Sequence, residues 1–414
     1  MSKPIKVGPF FGINNKMPSS SLRTAQSGSG VPRTGNYLRD AVNVDLTTVG
    51  SLQRRPGATM RITGGRCRSL WSDGTRAFYA DGAQLYAFDG ATARAIADLN
   101  SAEATVSYAV TPRGIVWTDG ASLQVIAEGV STPLCVPALN PVPTVSSSSG
   151  GGVPEGTYQV AFANVNTTGE RSAISECVTV AVPAKGTINL AFSGLRQFDT
   201  RVFVSAVGGS ILYFEALVSA ETYSFRIPLL KTSGEPMNDW VESPMPPGQL
   251  VRYYRGRLLT VADDTVFFSL PFAYGHFRAS TNYVRLDAPI TLCEPSKNGI
   301  FLATAKQTWF LSGDDIADAA LVHLANYGAV PNTAASEPSS LALWWFSSRG
   351  AVRAVGDKIE LRQDEHIAFG DATNGASIFR ESNGLSQLVS VLSNATPALG
   401  ARASAYMTAE VINT

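Results

Sequence analysis

Charge, cysteine, histidine and long apolar runs are all scarce in this chain. Only 16% of its 414 residues are charged, where about a quarter is usual. The 33 basic and 33 acidic residues cancel, whereas a general phosphate-binding surface for nucleic acid makes a protein much more basic. Four cysteines (Cys67, Cys135, Cys177 and Cys293) are too few for a disulfide scaffold and too far apart for a metal-ligand motif. Buried free thiols are therefore expected. His276, His323 and His366 are equally dispersed, so no metal site is encoded locally. No run of about 18 apolar residues occurs, and no membrane span is expected. The opening Met1-Ser2-Lys3-Pro4-Ile5-Lys6 has neither the apolar core nor the cleavage site of a signal peptide, which leads us to expect a soluble chain in a reducing compartment. Phosphate-binding Walker loops, G-x-S-x-G elbows and H-E-x-x-H helices are also missing.

What the chain does contain is hydrophobic residues (44%), 37 glycines and 23 prolines. That is enough apolar surface for a sizeable core and a supply of turn residues suited to many short strands. The expected class is all-β.

Four zones follow along the chain. Residues 1–62 hold nine basic residues against two acids, Asp40 and Asp45, leaving +7. With the chain neutral overall, the remainder carries the opposite charge. Such asymmetry suggests an N-terminal docking arm that meets an acidic surface, such as a neighbouring subunit; a solvated, irregular tail is the plainer reading. Phe10, Phe11, Tyr37 and Leu38 favour docking, because apolar side chains gain by leaving water.

In residues 63–140 strand-like runs alternate with Asp-Gly pairs at 73–74, 81–82, 89–90 and 119–120, the pattern of an antiparallel meander. Residues 141–235 open on Pro141-Val142-Pro143 and a Ser146–Ser149, Gly150–Gly152 run, expected to be a flexible boundary. Six short strands follow, with Tyr158, Val160 and Phe162 on one face, predicting an inserted β-sandwich.

Residues 236–414 return to the meander style. A unit of strand, Arg-Gly turn, strand, Asp turn, strand occurs around Arg113-Gly114, Arg255-Gly256 and Arg349-Gly350, on both sides of the insert. Repeated three- or four-stranded units are how a β-propeller limits its exposed edges, so these residues are expected to supply the remaining blades and a C-terminal closing strand. Asn298-Gly299 marks a further candidate blade. A large irregular sandwich is the alternative architecture.

Chemistry-bearing clusters are few. Asp364-Glu365-His366 could pair a carboxylate with an imidazole, yet neighbours on a strand point to opposite faces. Asp263-Asp264 and Asp314-Asp315 fit turns better than paired catalytic acids. Trp344-Trp345 fits core packing better than a sugar platform. No enzymatic activity, cofactor or metal is expected.

Three stretches resemble the tail nozzle or tubular proteins of short-tailed bacteriophages. The first comprises Gly12-Ile13-Asn14-Asn15, Leu38-Arg39-Asp40-Ala41-Val42-Asn43-Val44-Asp45 and Gly50-Ser51-Leu52-Gln53-Arg54-Arg55-Pro56-Gly57. The second, Gly156-Thr157-Tyr158-Gln159-Val160 with Gly169-Glu170-Arg171-Ser172-Ala173 and Arg201-Val202-Phe203, resembles that family's inserted fibronectin-like sandwich, although Phe203-Val204 stands where a Tyr-Arg pair is usual. The third is Pro246-Pro247-Gly248, Arg255-Gly256-Arg257-Leu258, Val266-Phe267-Phe268-Ser269 and Pro271-Phe272. The resemblance implies a β-propeller-like body with an immunoglobulin- or fibronectin-like insert. It also implies a structural virion protein, assembled in the host cytoplasm, that forms a homo-oligomeric ring, a hexamer, around the DNA exit channel. Its partners would be the portal or adaptor ring, distal tail proteins and genomic DNA that passes without specific binding. Subunit-docking candidates are Phe10, Phe11, Tyr37, Leu38, Arg54 and Arg55. The alternative role is a tail-tip protein that contacts a host glycan or surface protein.

Overall fold

The computed structural model describes residues 9–22, 35–47, 50–54, 57, 59–60, 62, 64–167, 169–231, 234–237, 242–338, 340–362, 364–367, 372–382, 385–393 and 406–412. Apart from two short 3-10 turns at Ser19–Ser21 and Ile316–Asp318, its regular structure is β. No helix among the described residues is long and apolar enough to cross a membrane. The chain divides into two compact units: residues 64–262 with 266–285, and residues 1–63 and 286–414 with the short stretch 263–265.

The first of these units contains three four-stranded meanders. One runs Arg68–Ser72, Ala77–Asp81, Gln84–Phe88 and Ala93–Asp98. The next runs Ser107–Thr111, Gly114–Thr118, Leu123–Ala127 and Val130–Pro133. The third runs Leu250–Tyr254, Arg257–Ala262, Thr265–Phe268 and Tyr283–Arg285. Strand alternation explains how they pack. On Gly114–Thr118, Ile115 and Trp117 face the first meander and join Phe78 and Leu85, while Val116 faces the third and joins Val251 and Leu258. Sheets on either side of the insert thus share one core. The Val251 amide donates to Ser107 Oγ (3.0 Å) and Thr118 Oγ1 to the Gly248 carbonyl (2.8 Å), adding polar ties across that join.

The second unit repeats the construction. A meander of Ile290–Ser296, Gly299–Thr304, Thr308–Ser312 and Ala320–Ala325 realises the blade marked by Asn298-Gly299. It is followed by Ala335–Ser336, Leu343–Ser347, Gly350–Val355 and Lys358–Arg362, then by a three-stranded sheet of Asn374–Ser382, Leu385–Ser393 and Tyr406–Ile412. Trp345 packs against Phe301 and Phe310 of the preceding sheet, and Trp344 packs with Leu388 and Leu392 of the following one. Both indoles are buried, one on each face. The fold is accordingly all-β, and within each unit successive propeller-type blades pack face to face.

The repeated turns are similar in atomic detail. Thr111 Oγ1 donates to the Gly114 carbonyl (2.9 Å) and accepts from the Arg113 amide (3.3 Å). Ser347 does the same with Gly350 (2.9 Å) and Arg349 (3.2 Å). In the Asp-Gly turns the aspartate is an acceptor, and glycine alone takes positive φ. Asp73 Oδ1 accepts the amides of Thr75 and Arg76 (3.0 and 2.7 Å), and Asp89 and Asp119 repeat the pattern. These bonds hold the carboxyls of Asp73 and Asp89 down at about 2.

Between the second and third meanders lies a seven-stranded sandwich. One sheet pairs Thr144–Val153 with Gly186–Ala191 and Ser224–Ile227; the other orders Val178–Val182, Gly156–Val165, Asp199–Ser205 and Leu212–Val218. Tyr158, Val160 and Phe162 enter its core together with Ile188, Leu190 and Val202. The Ser146–Gly152 run, expected to be a flexible boundary, is instead part of the first strand. Its serines bond both across the sandwich, with Ser147 Oγ donating to the Ala181 carbonyl of the other sheet (2.6 Å), and along its own sheet, with Ser148 Oγ meeting Thr187 Oγ1 (3.0 Å). Gly151 lets the neighbouring backbone approach where a Cβ would collide with the Gly186 carbonyl. The expectation of uniformly buried thiols also needs correction. All four cysteines are free, but Cys67 is exposed, Cys135 and Cys177 are half-buried, and only Cys293 is buried.

Candidate functional site

Two surfaces carry the side chains with functional potential. The first is built by the N-terminal segment. Phe10–Ile13 lies parallel to Asn36–Leu38, in the register Gly12↔Tyr37 and Ile13↔Leu38. Amides close the pair at both ends: Asn36 to the Pro9 carbonyl (3.0 Å) and Asn14 to the Leu38 carbonyl (2.7 Å). Buried Asn14 turns the chain by accepting the Lys16 and Met17 amides on Oδ1 (3.2 and 3.0 Å). A short hairpin, Val44–Leu46 with Leu52–Arg54, follows.

This segment seats on its own unit. Tyr37 packs with tilted rings against Phe11 (centroids 5.9 Å apart) and His366 (5.1 Å), and its hydroxyl meets His366 Nε2 at 3.0 Å. Burial, assisted by nearby Glu365, raises the Tyr37 pKa. The Asn15 amide donates to the His366 carbonyl (3.0 Å), and Lys16 Nζ donates to the Asp364 carbonyl. Asp45 Oδ2 accepts from Arg380 Nη2 (2.8 Å), whose Nε donates to Gln387 Oε1 (2.8 Å). The polar Asp364–His366 cluster therefore receives the N-terminal segment, and its imidazole faces a phenol rather than a carboxylate. Phe10, Phe11, Tyr37 and Leu38 are half-buried, Arg54 is exposed at a strand end, and Arg55 lies outside the described residues. Val42 (79% exposed), Met60 (77%) and Leu52 (41%) leave apolar surface uncovered in the same segment.

The second surface is a cleft of about 290 Å³ in the unit that holds the sandwich. Glu170, Arg171 and Arg201 come from the sandwich, Glu242 from the strand that follows it, and Phe272 and His276 from the excursion before Tyr283–Arg285. Arg113 pairs with Glu170, which also accepts from Asn166 Nδ2 (3.0 Å). Arg171 Nη2 pairs with Glu242 Oε2 at 3.3 Å. Burial lowers the His276 pKa, with Glu242 opposing and Arg171 adding to the shift, so the imidazole is neutral near pH 7. No local spacing unites these residues. Arg113-Gly114, Glu170-Arg171, Arg201, Pro271-Phe272 and His276 each stood out in the sequence, but for other reasons, and Glu242 did not stand out at all.

The remaining candidates have structural duties. Thr265 Oγ1 donates to Asp264 Oδ1 (2.7 Å), and Asp315 caps the Ile316–Asp318 turn through the Ala317 amide (3.0 Å). Trp344 Nε1 donates to buried Glu337 (3.1 Å). His323 packs edge-on against Trp309. Among the described residues, no three His, Cys, Asp or Glu side chains gather as metal ligands.

No family model matches the sequence, and no curated protein matches it. Among solved structures, the chain is similar to the Neurospora crassa Pan2 WD40 domain, at 11% identity over 78% of this chain and 86% of that one, with a TM-score of 0.32. It is also similar to BBS1N crystallised in complex with ARL6DN, at 9% identity over 81% of this chain and 94% of that one, again with a TM-score of 0.32.

Proposed function

We propose that this chain is a structural protein of a bacteriophage tail, of the nozzle or tubular kind, whose copies form a ring around the DNA exit path. The reading starts from the three sequence stretches that resemble that family. Its main support is the N-terminal segment. Phe11 and Tyr37 anchor it to the body, while Val42, Leu52 and Met60 are held out in water. Exposed apolar side chains on an otherwise anchored segment are surface that a second subunit would cover. A ring needs such a contact to be heterologous, with a rotation that closes. The neutral net charge suits a conduit, since a strongly basic wall would retain DNA during ejection. In this role the sandwich is a fibronectin-like module carried on the outside of the ring.

Particle imaging tests the reading through copy number and axial position. A closed ring of about six copies on the tail axis, as cyclic symmetry allows, is the expected result. A peripheral trimer would move the assignment to receptor binding. A chain absent from the particle would overturn the tail role.

A further inference from the structure

The cleft beside Phe272 combines two costs that its surroundings do not require. Phe272 is a bulky residue at φ +57°, a left-handed conformation that strains L side chains. Its ring is also 75% exposed, surrendering most of its burial gain. The conformation is nevertheless fixed. The Phe272 amide donates to the Gly256 carbonyl (2.7 Å), and the ring lies over Gly256 where a Cβ would come within 2.9 Å. An exposed aromatic ring is therefore held in the lining of the cleft.

The same cleft also offers hydrogen-bonding groups held by partners. Arg171 and Glu242 restrain one another, as do Arg113 and Glu170. His276 adds a neutral imidazole. Arg201 differs: its guanidinium is placed 5.1 Å above the Phe214 ring, and among the described residues no carboxylate pairs with it. A planar guanidinium with spare donors suits a carboxylate bidentately. Glu170 and Glu242 in the same wall oppose a doubly charged phosphate but accept hydroxyl protons. The volume, about 290 Å³, sits at the small end of ligand clefts, the size of a single sugar ring rather than a long ligand.

We propose that this cleft binds one acidic sugar residue of a saccharide. Its carboxylate lies on Arg201, its ring face lies on Phe272, and its hydroxyls lie against Glu170, Glu242 and His276.

Saturation-transfer NMR and calorimetry on the full chain, with galacturonate and glucuronate oligomers as probes, test the assignment. Neutral galactose and glucose oligomers and an acidic peptide serve as comparisons. The acidic sugars should bind at least about tenfold more tightly than the neutral ones, the factor expected for one charge-assisted bidentate contact. R201M and R201K should both lose that preference, since Lys keeps the charge without the fork. F272A should abolish transfer to the sugar ring protons, and F272W should retain it. Both positions reach solvent, so unchanged melting temperatures will show that these variants fold. Equal binding of acidic and neutral sugars, undiminished binding by R201M, binding of the peptide alone, or no binding up to about 10 mM would each overturn the proposal. None of these results depends on ring formation, so the tail role and the sugar site stand or fall separately.

Discussion

Tyr37 and His366, 329 positions apart, meet through a 3.0 Å hydrogen bond and a tilted ring contact with centroids 5.1 Å apart. This contact fastens the N-terminal segment to the sheets that end the chain. Y37F keeps the ring and deletes the hydroxyl, so it should cost about 1 kcal/mol, the net value of one such bond. Y37A removes the ring contacts with Phe11 and His366 as well and should cost about 3 kcal/mol or more. Denaturant unfolding measures both losses. Hydrogen exchange at residues 36–38 should quicken in Y37A while the sandwich amides hold their rates. Equal stability of Y37A and the native chain would show that the segment is not anchored there.

A pH titration of stability should show two separate windows. Burial depresses the folded His276 pKa below its ordinary value, so the unfolded chain binds the proton first. Stability is then complete above about pH 6.5 and declines as pH falls through the folded value. Glu170, Glu242 and Arg171 face this imidazole, and Glu242 limits the decline. Asp73 and Asp89 act later, because their folded carboxyls titrate at about 2 rather than 3.8. Their contribution is present above the unfolded value and disappears between those two limits. H276Q should flatten the upper window only, and D73N with D89N the lower only, in melting temperatures recorded against pH.

Local chemistry explains why some of the fold was legible in sequence and some was not. Asp73, Asp89 and Asp119 bond to amides two and three residues on, so turn identity and period lie within a short window. Alternation likewise exposes Tyr158, Val160 and Phe162 as one face. The Thr144–Val153 strand was hidden because serine and glycine have low strand propensity and pair here through bonds to residues some 40 positions away. The seat of the N-terminal segment was half legible. Its apolar residues led us to expect docking on a neighbouring subunit, whereas Phe11 and Tyr37 pack within the chain's own unit, and nothing near them in sequence names His366. The cleft was illegible, since its wall is assembled from the sandwich, the strand after it and a loop of the third meander.

The two adjacent tryptophans should respond unequally to the same substitution. Trp345 is fully buried, and its Nε1 has no hydrogen-bond partner among the described residues. W345F loses packing volume but also removes that unpaired donor, so the two effects partly offset and the cost should stay near 1 kcal/mol. Trp344 Nε1 donates to Glu337, a buried carboxylate that also faces Arg353 at 3.7 Å. W344F withdraws one donor from a buried charge and should cost about 2–3 kcal/mol. Chemical denaturation of the pair gives the comparison, and a larger loss for W345F would contradict this account.

Gly151 provides the sharpest test that the serine-glycine run is a strand and not a linker. A Cβ there would press on the carbonyls of Gly186 and Pro228 and on the Thr187 methyl, all belonging to the paired strand or the segment beside it. Two of those atoms are backbone and cannot rotate away, so G151A must separate Thr144–Val153 from Gly186–Ala191 or bend one of them. Overpacking of this kind costs about 1–3 kcal/mol, and G151V should cost more. Gly74 supplies the control. It sits at φ +88° in an open turn with nothing within 4 Å of an added Cβ, so G74A should register only the conformational penalty of about 1–2 kcal/mol. Hydrogen exchange separates the two cases where stability alone does not: G151A should release amides along 144–149 and 186–191, whereas G74A should leave the sandwich protected. If 144–149 exchange freely in the native chain, the strand is not formed in solution and the sandwich has six strands.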